Sequence, residues 1–211
     1  MNKAIIGRKL GMTRIFAADG TAVPVTVVQA GPCPVVQKKT AERDGYNAVQ
    51  LAFGDTKEAR LTKAEAGHLK KAGVGAKNYL QEFKFDDIEK FEVGKDVKCD
   101  IFSDGDFVDV TGITRGRGFS GVIKRWNSSR LKETHGVGPV HREVGSLGAN
   151  SSPSRVFPGI HMPGQYGHEQ VTVLNLKVVK VNTDKNVLLI KGAVPGATNS
   201  IVSVRSAVKK A

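Results

Sequence analysis

Short apolar, β-branched runs bounded by turn residues recur along most of the chain, and this pattern predicts strands rather than helices. Residues 3–16, KAIIGRKLGMTRIF, predict a strand, a basic glycine-flanked turn and a second strand. Ala18-Asp19-Gly20 supplies the next turn. VPVTVVQ (23–29) has the β-branched content of a strand, which Gly31-Pro32-Cys33-Pro34 ends. Further strands are expected at 35–39, 48–53, 82–85, 97–102 and 107–110, with Asp104-Gly105 turning between the last two. VTVLNLKVVKVN (171–182) alternates with Val173, Val179 and Val181 on one parity and Lys180 and Asn182 on the other. A turn at 183–186 sends the chain back as VLLIKGAV, and 201–204 forms the last strand.

One helix interrupts this series. Thr62 and Glu65 have capping-box spacing, and LTKAEAGHLKKAG runs from there to a glycine stop at Gly73. The helix is short and lysine-rich, which suits a small surface insertion. Many short strands with one good helix predict a mainly β fold, a closed β barrel.

Residues 114–168 break the pattern. They show neither a helical nor a strand period over any length, and they hold ten Gly, four Pro and four of the five His. A patternless segment longer than about 15 residues inside a domain is usually functional or disordered. This one carries Phe119, Trp126, Phe157 and Tyr166, unlike an ordinary disordered tail. It also carries Arg115, Arg117, Lys124, Arg125, Arg130, Lys132, Arg142 and Arg155, opposed only by Glu133 and Glu143. The barrel is therefore expected to comprise 1–110 and 171–211, with 114–168 as a long irregular basic extension.

The charge distribution agrees with this division. The chain has 211 residues and a formal net charge of +12. Residues 1–110 hold 17 Lys and Arg against 16 Asp and Glu, whereas 111–211 hold 15 against 4. Solubility alone does not call for such a split. It points to one binding face for a polyanion, most simply folded RNA. Arginines bind phosphates bidentately, Gly116, Gly118 and Gly121 let the backbone approach closely, and Trp126, His135 and His141 can stack or hydrogen-bond.

The competing chemistry is poorer. Gly116-Arg117-Gly118-Phe119-Ser120-Gly121 satisfies a dinucleotide-binding glycine pattern, so a nucleotide-dependent enzyme is the alternative; it requires a helix over 122–130. No carboxylate follows until Glu133, and the βαβ context is not predicted. His135 and His141 are six apart and His161 and His168 seven apart, spacings that fit no helical or zinc-finger pair. Cys33 and Cys99 form no paired motif. No nucleophile-elbow motif occurs, nor any apolar run of membrane-spanning length. The expectation is a soluble cytoplasmic protein without metal, cofactor or small-molecule substrate.

The motifs also carry a resemblance. GRKLGMTRIF (7–16), PVTVV (24–28), EAGHLKKAGV (65–74), GRGFSGVIKRW (116–126), HREVGSLGAN (141–150), RVFPG (155–159), MPGQYGHEQVTVLNL (162–176) and LLIKGAVPGA (188–197) occur in one order over the full length. In these the chain resembles the universal large-subunit ribosomal proteins of the L-three family, in bacterial form. The resemblance implies a translation-factor-type barrel and direct binding of large-subunit ribosomal RNA. It also implies neighbouring ribosomal proteins, a part in early subunit assembly, and an extension reaching towards the peptidyl transferase centre. The tip would be 145–154, with Gly148, Ala149, Asn150 and Ser151 closest. Some relatives carry glutamines beside the tip asparagine, one of them methylated; Ala149 and Ser151 stand here and cannot take that modification. Ile160-His161 replaces two lysines common in relatives, and Gln170 a frequent arginine. A translation factor acting off the ribosome is a further reading, which co-sedimentation in high salt separates from an integral subunit component.

Overall fold

The computed structural model describes residues 3–209, so positions 1–2 and 210–211 of the two expected barrel segments lie outside it. The described chain forms β1 (Ala4–Phe16), β2 (Ala22–Ala30), β3 (Cys33–Lys39), α1 (Ala41–Asp44), β4 (Ala48–Asp55), α2 (Lys63–Lys71), β5 (Lys77–Phe83) and β6 (Asp96–Val97). It continues through β7 (Phe107–Ile113), β8 (Phe119–Ser120), α3 (Val122–Trp126), β9 (Gly164–Gln165), β10 (Gln170–Asn182), β11 (Val187–Lys191) and β12 (Ile201–Ser206). These elements sort into two compact units. One runs up to Ile113 and resumes at Gln170; the other is Thr114–Glu169.

In the first unit six antiparallel strands close into a barrel in the order β1-β12-β7-β10-β11-β2. Closure leaves these strands no continuous free edge, so backbone groups pair around the ring. Alternation fills the interior. Val108 and Val110, Leu188 and Ile190, and Val202 and Val204 are spaced by two and fully or nearly fully buried. Ile5, Val28 and Val178 join them in one core. Gly7 is fixed by packing, because a Cβ there would lie 2.7 Å from both the Gln29 carbonyl oxygen and Val28 Cγ1.

Not every expected strand enters the barrel. β5, β4, β3 and β6 form a separate four-stranded sheet in that order, and it shares the main core through Val35, Val49, Leu51 and Phe83. α2 packs Leu69 against Val36 and Ala52 of this sheet. The Thr62 side chain accepts from the Glu65 N–H, and the Glu65 carboxylate accepts from the Thr62 N–H, completing the capping box.

Three local expectations are corrected. The predicted turn within 3–16 is a bulge between Lys9 and Gly11 in the single strand β1, whose pairing to β2 continues through it. The parity read for 171–182 fails because β10 is bulged twice, between Val173 and Leu176 and between Val178 and Lys180. The buried residue in this strand is Val178, not Val179 or Val181. The first of these bulges is held by the buried Asp109 carboxylate, which accepts from the N–H of Asn175, itself at φ 54°. Lastly, 97–102 is not a strand. After β6 the chain forms a 3-10 turn at Cys99–Ile101, and the three-residue spacing turns Cys99 and Phe102 into the core together.

Candidate nucleic-acid interface

The Thr114–Glu169 unit is built on two antiparallel legs. The Thr114 N–H donates to the Glu169 carbonyl (2.9 Å) and the His168 N–H to the Thr114 carbonyl (3.2 Å). Further along, Arg117 N–H donates to Tyr166 and Tyr166 N–H to Gly118, each at 2.9 Å, before β8 pairs with β9. Gly167 makes the close approach possible. It has φ 70°, and a Cβ there would fall 2.1 Å from the Arg115 carbonyl oxygen. Gly118, with φ 63°, and Gly121 face open space, while Gly116 meets only His168 Cβ, at 3.5 Å.

α3 follows Gly121 and is one short turn with Val122 buried, ended by Asn127 in the left-handed region. The nucleotide-enzyme alternative requires a helix over 122–130. The observed helix stops at Trp126, and the strands around it are antiparallel, so the dinucleotide architecture is not formed by these residues. Trp126 stacks on His161 with ring centroids 4.2 Å apart and planes 3° from parallel. Its Nε1 donates to the Met162 carbonyl (3.0 Å), as does Arg125 Nη1 (2.9 Å), and the Arg125 guanidinium lies 4.9 Å from the indole centroid. Trp126 remains 42% exposed. Sequence reasoning missed His161 as the partner of Trp126; no periodicity links positions 35 residues apart in irregular chain.

Beyond α3 regular structure ends. The Leu131 N–H donates to the His141 carbonyl, and His141 Nδ1 lies 3.0 Å from the Lys132 carbonyl oxygen. His135 adopts φ 62° and is exposed. Every residue from 142 to 162 is exposed, including the tip residues Gly148, Ala149, Asn150 and Ser151. At the tip the Ser146 hydroxyl accepts from the Gly148 N–H, and the Ser154 hydroxyl donates to the Ser151 carbonyl.

Arg130 pairs with Glu133. Among the described residues, the other seven cations of this unit have no carboxylate partner. Arg117 lies over Tyr166 and Arg155 over Phe157, at 5.7 and 5.3 Å from the ring centroids. Arg115, Lys124, Lys132 and Arg142 are all exposed. The histidines are not gathered, and no group of three or more His, Cys, Asp or Glu able to hold a metal occurs among the described residues.

An open, cationic insertion with exposed aromatic faces offers phosphate partners and stacking surfaces, the chemistry of an RNA-binding protein. The family model described as Ribosomal protein L3 matches residues 75–187, from just before β5 through the whole insertion to β11. The chain belongs to the ribosomal protein L3 family. Membership gives it a structural, non-enzymatic, RNA-binding role in the large ribosomal subunit of the cytoplasm, in contact with large-subunit ribosomal RNA and neighbouring ribosomal proteins.

Proposed function

We propose that residues 114–168 form the arm through which the protein grips large-subunit ribosomal RNA during early assembly. In this reading Arg115, Arg117, Lys124, Arg125, Arg130, Lys132, Arg142 and Arg155 neutralise phosphates. Gly116, Gly118 and Gly121 admit the RNA backbone, and Trp126, His135 and His141 stack or hydrogen-bond. The tip at 148–151 approaches the peptidyl transferase centre. The supporting observation is the unit's lack of a core: its buried side chains are Ser120 and Val122, while 142–162 is wholly exposed. Such a segment cannot offset its ordering entropy by its own burial, and a polyanion supplies the missing contacts.

The test is limited proteolysis with and without large-subunit ribosomal RNA, together with the salt dependence of binding. Cleavage confined to 114–168 and blocked by RNA is expected. The seven cations without a carboxylate partner should contribute roughly −5 to −6 to the slope of log K against log salt, at about 0.7–0.9 per phosphate. Equal cleavage with and without RNA, or a total slope near −1, overturns the arm.

A further inference from the structure

The geometry points to a second RNA contact, on the barrel-bearing unit and outside the insertion: a basic pocket between α1, α2 and β3 that takes a backbone phosphate. This extends the RNA-binding reading above to a surface that nothing in that reading uses.

A cleft of about 230 Å³ opens where the C-terminal turn of α2 meets the end of β3. Its polar lining is Gln37, Lys38, Arg43, His68 and Lys71, with Ala72 and Val36 among the apolar residues. Three permanent cations and a histidine converge there, and among the described residues no carboxylate lines the cleft. Neither Glu42 nor Asp44 of α1 faces it, and the Asp44 carboxylate is turned back to the Thr40 N–H. Arg43 and Lys71 have no ion-pair partner among the described residues; Lys38 is drawn only towards the Glu92 carboxylate, which is itself paired with Lys95 at 2.8 Å, and Lys39 is paired with Glu82 at 2.7 Å.

The setting is also rigid. Leu69 of α2 is buried against Val36, so the helix that carries His68 and Lys71 is anchored to the strand that carries Lys38. His68 Nε2 lies 2.6 Å from Gln50 Oε1, which fixes the ring at the edge of the cleft. Like charges lining one cleft repel one another, and a bound anion offsets that repulsion while matching the guanidinium and ammonium donors. The cationic lining, rather than the size of the cleft, selects a phosphate. The charge is local, since residues 1–110 are nearly neutral in sum.

Binding of the full-length protein to large-subunit ribosomal RNA, followed against salt, tests this. The variant Lys38→Ala/Arg43→Ala/Lys71→Ala is expected to reduce the magnitude of the salt slope by about 0.7–0.9, the share of one phosphate, with unchanged thermal melting. Lys38→Arg/Arg43→Lys/Lys71→Arg keeps the charge and is expected to keep the slope. Arg117→Ala/Arg125→Ala serves as the arm control. A slope lowered by the arm variant but not by the triple alanine variant overturns the pocket and leaves the arm standing; the converse sinks the arm and not the pocket. An unchanged slope with lost incorporation into subunits identifies an acidic protein partner, and that too overturns the proposal.

Discussion

Single positions in this protein are constrained for different reasons in its two units. Cys33 illustrates the first. Its side chain is fully buried, its thiol donates to the Ile6 carbonyl at 3.3 Å, and burial pushes its pKa up to about 12 from the ordinary 9.0. The thiolate is the reactive species, and burial keeps the thiol protonated at pH 8. Cys33 should therefore resist iodoacetamide in the folded protein at pH 8 and react fully in denaturant, read as a mass increment on its peptide. Rapid labelling of the native protein at Cys33 would contradict the burial. The sign is that of a raised pKa: the stability gained from keeping this thiol protonated is complete below the ordinary value and lost as pH climbs towards about 12. In the insertion, by contrast, side chains such as Arg142 and Asn150 touch little of their own chain, and their identity was legible only as composition. The sequence showed eight cations and ten glycines there. It did not show that Arg130 is compensated by Glu133 or that His161 covers a face of Trp126.

Elements were legible where a short apolar, β-branched run lies between turn signals, as in β11 and β12, and where a local hydrogen-bond motif marks an end, as Thr62 and Glu65 do for α2. They were misread where the backbone resets the count. A bulge shifts parity without any residue type announcing it, and β1 and β10 each contain at least one. The glycines of GRKLGMTRIF read as turn signals, yet Gly7 serves close packing against β2. Gly167 serves the same purpose between the two legs of the insertion. Gly167→Ala places a methyl group against the Arg115 carbonyl at a φ that favours glycine, so the legs must separate. The expected outcome is weaker RNA binding and faster cleavage near 114–120 and 164–169, with the main melting transition unchanged. Wild-type affinity in this variant would show that the paired legs do not matter for binding.

At the scale of the whole molecule, the insertion leaves and re-enters the barrel at one place. Ile113 ends β7, Gln170 begins β10, and the two residues are direct partners across the ladder. Replacing 114–169 by a two- to four-residue turn should therefore leave a protein that melts cooperatively, checked by circular dichroism, while RNA affinity falls by orders of magnitude. Loss of the melting transition would mean that the barrel depends on the insertion for its fold. Closure of the barrel is a different matter, because β1 at residues 4–8 pairs with β12 at residues 201–205, the last strand in the chain. During synthesis at about 5–20 residues per second, the first strand therefore waits roughly ten to forty seconds for the partner that covers its edge. The insertion emerges within that interval, so the cationic segment is available to RNA before the ring that carries it can shut. On the function proposed above, order of manufacture separates capture from closure: the newborn chain is tethered through 114–169 before β12 reaches β1.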